Sequence, residues 1–336
     1  MPEIPLLLAV VVLIALVFDF TNGAHDSANA IATIVSTKVL SPLTAVLMAG
    51  VLNLVGAFLG TAVAHTIGSG IVQPEMVAGS QGLVLAALLG AIFWNLLTWY
   101  LGLPSSSSHA LVGGLIGAAV AYGGFGAPSY ASIASKVLLP LVLSPLAGFL
   151  SGYLLMVLLS WLVCRSTPGR VNFLFKKLQI VSSAFMATSH GLNDAQKTMG
   201  IITLALFTFH AIPEMTVPFW VKLSCALAMG LGTATGGWKI VKTMGHKIFK
   251  LEPIHGFAAE TAAAAVICSA SALGAPISTT HIISTTVIGV GASKRLSAVR
   301  WGIAGRLVVA WVLTIPASAL VAALCYWLLA VTGIAV

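Results

Sequence analysis

Apolar runs recur along the whole chain, among them Leu6 to Phe18, Leu83 to Trp94 and Val137 to Leu143, and short polar islands separate them. This pattern predicts serial membrane crossing by α-helices, because a helix satisfies its own backbone in hydrocarbon without outside partners. The pattern is interrupted where polar residues fall inside an apolar stretch. Asp19-Phe-Thr-Asn-Gly-Ala-His-Asp-Ser-Ala-Asn29 lies between Ile4 and Val39. A straight helix over that stretch would reach about 50 Å, against a hydrocarbon core of about 30 Å. A break at Asn22-Gly23 is therefore expected. Downstream, Asp26, Asn29 and Thr33 follow at helical spacing on one face.

Gly23-Ala-His-Asp26 aligns with Gly191-Leu-Asn-Asp194 at an offset of 168, and Pro104-Ser-Ser-Ser-Ser-His109 with Pro276-Ile-Ser-Thr-Thr-His281 at an offset of 172. Two motifs in the same order, each set in an apolar run, predict an internal repeat. The boundaries read as 1–163 for the first repeat, 164–177 for a cytoplasmic linker and 178–336 for the second repeat. Basic residues cluster at Arg165, Arg170, Lys176 and Lys177, at Lys239, Lys242, Lys247 and Lys250, and at Lys294, Arg295 and Arg300. Such clusters mark the cytoplasmic side. That assignment puts the stretch 65–81 and both termini outside, and gives each half three crossings and a hairpin, the second over 254–292. An odd number of crossings inverts the second half. The predicted fold is an all-α integral membrane protein of two inverted repeats, with broken helices and two re-entrant hairpins.

Composition narrows the class. Of 336 residues 59% are hydrophobic and 7% charged, where a soluble domain carries about 25% charged residues. The formal net charge of +8 resides in short loops, which excludes a nucleic-acid-binding domain. Met1 to Phe18 carries Glu3 and no Lys or Arg, so it reads as the first membrane helix and not as a signal peptide. Cys164, Cys225, Cys268 and Cys325 lack metal-ligand spacing and read as packing residues. The expected location is the cell inner (plasma) membrane.

A carboxylate at bilayer depth costs about 2.5 to 3.5 kcal/mol, so Asp26 and Asp194 each need a reason to be there, a structural ion pair or a function, and for Asp26 function is the better reading. Lys197 is the natural partner of Asp194 and aligns with Asn29, whereas Asp26 has only His25 beside it. Asp19, next to the expected break, is as well explained by structure as by function. Ser105, Ser106, Ser107 and Ser108, and likewise Ser278, Thr279 and Thr280, predict capped helix starts. The free amides and dipole of such starts favour an anion. Two of them facing each other would cradle one, although plain capping explains a single copy. His109 and His281 read as structural. Glu260, whose counterpart is Leu88, reads either as a coupling-ion ligand or as a residue near the surface. Asn53 is expected to bond to a neighbouring helix, and Gly56 with Gly60, Gly113 with Gly117 and Gly232 with Gly236 to allow close helix packing.

With these motifs the chain resembles the Pit/PiT inorganic phosphate transporter family, in its bacterial branch, over nearly its whole length. The resemblance implies uptake of phosphate by cation symport. Asp26, Asn29 and Asp194 match its signature positions, Ser106 and Ser278 its hairpin serines, and Glu260 a functional glutamate; Asn53 stands where the eukaryotic branch has another glutamate. The expected phosphate-binding set is Asp26, Asn29, Ser105, Ser106, Ser107, Ser108, Asp194, Lys197, Ser278, Thr279 and Thr280. The expected coupling set is His25, Asp26, Asn53, Asn193, Asp194 and Glu260. No cofactor is expected beyond the coupling cation, sodium ahead of the proton, and no partners beyond phosphate and the bilayer, with a homo-oligomer left open.

Other functions fit less well. Gly191 to Thr198 has the wrong spacing for a phosphate-binding loop of an ATPase. Asp26 with Asp194 could form the dyad of an intramembrane protease, yet Ala24 and Leu192 stand where that class has Gly. A passive anion channel is a further alternative. Sulfate is the rival substrate, and the carboxylates argue for phosphate: a protonated phosphate donates hydrogen bonds, whereas sulfate only accepts them.

Overall fold

A computed structural model describes residues 6–70 and 81–333. The chain ends and most of the loop 65–81 assigned outside lie beyond the described residues. The principal helices are α1 (Leu6–Ser36), α2 (Pro42–Ala57), α3 (Ala62–Gly70), α4 (Gln81–Leu101), α5 (Ser107–Gly123), α6 (Leu139–Val163), α7 (Pro168–Thr208), α8 (Phe219–Thr235), α9 (Pro253–Ala272), α10 (Thr279–Lys294) and α11 (Trp301–Val331). No strand occurs among the described residues. Among these residues five helices are long and apolar enough to cross a membrane, or six if α2 and α3, bent by 72° at their junction, form one span. The chain is a multi-pass, all-α membrane protein.

Burial is arranged inside out. On α2 the large apolar residues Leu43, Leu47 and Val51 are exposed at four-residue spacing, while Ala45, Ala49 and Asn53 face inward. Small and polar residues thus pack the interior, and large apolar ones meet lipid.

The helix α1 is unbroken, contrary to the expected break at Asn22-Gly23. Gly23 serves packing instead: a Cβ there would stand 2.5 Å from the carbonyl oxygen of Met229 on α8. The broken element is the α2–α3 pair. The expected linker is also mostly helical, since α7 begins at Pro168 and runs for 41 residues, about 60 Å. Its opening turns carry Arg170, Lys176 and Lys177, all exposed, so the helix projects beyond the apolar layer.

The helices α1 and α7 lie antiparallel. Thr198 donates to Asp19 at 2.9 Å, Ser183 to the carbonyl of Ala30 at 3.2 Å, and Thr37 to Gln179 at 2.9 Å. Helices from the earlier and later parts of the chain interleave: α5 packs on α11 and α10 on α6, α1 on α8 and α7 on α2. Two apolar cores result, one holding Leu8 to Phe18 with Ile201 to Leu206, the other Ile31 and Ile34 with Met186 and Ala187. The polar middle of α1 and of α7 is held between them.

Both hairpins turn by the same device. α4 ends at Gly102 with φ +67° and α9 at Gly274 with φ +68°, a left-handed conformation that favours glycine. The next amide then bonds back five residues, Leu103 to Thr98 and Ala275 to Ala270, both at 2.9 Å. This closure directs the chain into the hydroxyl-rich starts of α5 and α10.

Candidate functional site

Those two starts meet at the centre of the molecule. Ser106 and Ser278 cap them, each hydroxyl accepting the amide three residues on, from His109 and His281, at 3.2 Å. The first helical bonds are made by the amides of Ala110 and Ile282, so the amides of Ser107, Ser108, Thr279 and Thr280 have no partner within their helices. The Ser108 hydroxyl reaches the Ile277 carbonyl at 3.4 Å. The rings of His109 and His281 lie 4.9 Å apart, and Trp311 packs on His281 at 4.1 Å while donating to the Pro104 carbonyl at 3.0 Å. The two rings stack where the hairpin tips meet, and Nδ1 of His109 and both ring nitrogens of His281 have no hydrogen-bond partner among the described residues.

Against this pair of helix starts lie the two carboxylates. Asp26 contacts His25 Nδ1 at 2.5 Å and accepts from Ser107 at 2.9 Å and from Thr280 at 3.3 Å. Asp194 accepts from Lys197 and from Thr279, the latter at 3.2 Å, and lies 3.3 Å from His190 Nε2. Lys197 also donates to Ser108 at 2.5 Å and to the Ile277 carbonyl at 3.1 Å. Asn29 donates to Thr280 at 2.9 Å and to Thr279 at 3.3 Å. Ser107, Ser108, Thr279 and Thr280 thus converge with Asp26, Asn29, Asp194 and Lys197. Ser105 does not join them: its hydroxyl bonds to Thr98 at 2.8 Å, behind His25.

The coupling residues separate into groups. Ligand atoms of Asp26, His190 and Asp194 lie within 4.8 Å of one another, a spacing that can hold a cation. Asn53 sits one residue further out, its Oδ1 2.7 Å from His190 Nδ1. Asn193 turns away to donate to Ser271 at 2.7 Å. Glu260 forms a separate, fully buried cluster, accepting from Thr33, from Ser182 and from Gln179, so it is not a surface residue. Thr33 is seven residues from Asp26, about 10 Å along α1. His190, Gln179, Ser182 and Thr98 escaped the sequence reading, since each is a lone polar residue whose partner lies on another helix. His190 carried one signal, its alignment with Asn22 at the 168-residue offset.

On α1 the residues Asp19, Asn22, Asp26, Asn29 and Thr33 form one buried polar stripe. Among the described residues four carboxyl groups, Asp19, Asp26, Asp194 and Glu260, are buried together with a single lysine, Lys197. Ionisable groups this concentrated inside an apolar bundle mark a substrate or ion pathway, the class of multi-pass membrane transport proteins.

The family follows from comparison with known proteins. The model of the phosphate transporter family matches residues 22–322, and the chain belongs to that family. A Rhizobium meliloti protein described as a probable low-affinity inorganic phosphate transporter is 51% identical over 325 residues, 96% of each chain. A Bacillus subtilis protein of the same description is 47% identical over 329 residues, 97% of this chain and 98% of that one. A solved structure, described as the sodium-dependent phosphate transporter, superposes with a TM-score of 0.87 at 26% identity, covering 97% of this chain and 99% of its own. The family is one of transporters and not of enzymes, which removes the intramembrane protease reading.

Proposed function

We propose that the chain takes up inorganic phosphate across the cell inner (plasma) membrane by symport with a cation, with sodium as the coupling ion. The observation that carries this reading is the meeting of two hydroxyl-lined helix starts with Asp26, Asp194 and Lys197. The helix starts and Lys197 offer donors to phosphate oxygens. The carboxylates accept the hydrogen of a protonated phosphate, which sulfate at neutral pH cannot supply.

The excess of buried carboxyl groups over lysine supports coupling. An anion seated beside Asp26, which has no Lys or Arg partner among the described residues, needs an accompanying cation, and Asp26 with Asp194 supplies hard oxygen ligands for one. The antiparallel α1 and α7 and the interleaved helices support two inverted repeats that rock about this centre. In this reading both termini face outward and the basic loops face the cytoplasm.

A second reading, proton coupling, is favoured by one feature. His25 touches Asp26 through Nδ1 and Thr98 and Ser105 through Nε2, at 3.1 and 3.3 Å, a chain of groups able to pass a proton. Liposomes holding the purified protein test the substrate: phosphate uptake should exceed sulfate uptake and be little inhibited by sulfate. Efficient sulfate uptake without competition from phosphate contradicts the assignment.

A further inference from the structure

The transport site leaves Arg306 without a role. Arg306 lies in the apolar helix α11, exposed beside Val308, Val309, Val312 and Leu313 on a face that meets lipid. Among the described residues it has no carboxylate or hydrogen-bond partner. A cation in hydrocarbon is costly, so such an arginine reaches to the interface or binds an anion. It stands five residues from Trp301, about 7.5 Å along the helix from an exposed indole suited to the membrane boundary.

Arg306 lines a groove of about 530 Å3 between α4 and α11. The long walls are apolar, formed by Trp94, Leu97, Leu101, Val309 and Leu313. Gly302 and Gly305 hold it open, since a Cβ at either would meet no atom within 4 Å. The two helices run antiparallel: Trp94 donates to Thr314 at 3.1 Å, and Leu103 faces the Gly302 end. Lys239 does not line the groove: its ammonium donates to the Tyr100 carbonyl at 2.9 Å and lies 4.2 Å from the centre of the Tyr100 ring. The groove is therefore apolar along its length, with Arg306 as the one cation in its lining.

We propose that this groove binds an anionic phospholipid, one acyl chain lying along Gly302, Gly305 and Val309 and the headgroup phosphate held by Arg306. Charge complementarity selects the headgroup, and Arg matches a phosphate by its two-pronged geometry. The groove also touches the transport site. Thr98 forms part of its wall, and the Thr98 hydroxyl contacts His25 Nε2, whose ring contacts Asp26. A chain seated here packs against the residue that fixes His25.

Native mass spectrometry of the full-length protein, exchanged into mixed micelles of phosphatidylglycerol and phosphatidylcholine, tests the proposal by a readout independent of transport. The wild type should retain phosphatidylglycerol several-fold over phosphatidylcholine. Arg306→Gln should abolish that preference, and Gly305→Leu, which fills open space and keeps every charge, should abolish retention of both. Arg165→Gln, in the turn before α7, should behave as wild type. Unchanged retention by both Arg306→Gln and Gly305→Leu overturns the site. So does a Gly305→Leu protein that loses an oligomer while keeping its lipid, since the groove then joins two copies of the chain. In vesicles, adding phosphatidylglycerol to phosphatidylcholine should raise phosphate uptake by the wild type and not by Gly305→Leu; equal stimulation of both contradicts the link through Thr98.

Discussion

Asn29 and Lys197, aligned at the 168-residue offset, each reach hydroxyl residues at a helix start: Asn29 donates to Thr279 and Thr280 at the start of α10, and Lys197 to Ser108 at the start of α5. The frame is shared but the charge is not. Asp194 has a lysine three residues on, whereas Asp26 has an amide there. On the proposed reading the missing cation beside Asp26 is the transported one.

Asn29→Lys therefore places a fixed ammonium at the position aligned with Lys197. Phosphate binding to the purified protein should lose most of its sodium dependence, measured by titration calorimetry with sodium or choline. Sodium dependence equal to that of the wild type places the coupling ion elsewhere.

Lys197→Met leaves Asp194 buried without its cation. Removing one partner of a buried pair costs about 3 to 5 kcal/mol, so thermal unfolding in detergent should shift strongly downward. Adding Asp194→Asn should recover much of the loss, because the second change removes the stranded charge. If the double variant is no more stable than Lys197→Met, the pair does not act as a unit.

The hydrophobic pattern was enough to read the helical membrane fold, and the two motif offsets led to the residues that converge. Asp26, Asp194, Lys197 and the hydroxyls of both hairpins share that centre because each motif placed them at a helix start or on one helix face. The expected break in α1 was misplaced for a physical reason: glycine breaks a helix or lets another backbone approach, and Gly23 does the second against Met229. Sequence spacing also could not separate Glu260 from Asp26, since Thr33, Ser182 and Gln179 come from two other helices. His190 was missed because Asn53, which orients it, is distant in sequence and shows its role only across the α2–α7 contact.

That contact yields its own test. A Cβ on Gly56 would stand 2.1 Å from the Thr188 carbonyl oxygen, and one on Gly191 2.2 Å from that of Asn53. Gly56→Ala and Gly191→Ala should each destabilise by about 1 to 3 kcal/mol and reduce phosphate uptake by displacing Asn53 from His190. Gly169→Ala, where nothing lies within 4 Å, should be neutral in both melting and uptake assays. Wild-type behaviour of Gly56→Ala means that the helices are not in close contact during transport.

Glu260→Gln keeps the shape of the second cluster and removes its ionisable carboxyl. Uptake measured against sodium and against phosphate should show a weakened sodium dependence with a smaller change in phosphate affinity, because Glu260 lies outside the group of hydroxyls around Asp26 and Asp194. An equal loss in both would place Glu260 within the phosphate pathway.

The central claim is cation-coupled phosphate uptake through Asp26 and Asp194, and its most direct test is uptake into proteoliposomes at fixed pH, with an inward sodium gradient or with choline replacing sodium. Sodium should drive phosphate accumulation against its gradient in the wild type, choline should not, and Asp26→Asn and Asp194→Asn, correctly inserted, should accumulate almost none. Accumulation that ignores sodium and follows an imposed pH gradient instead would contradict sodium coupling, and normal uptake by Asp26→Asn would contradict the site itself.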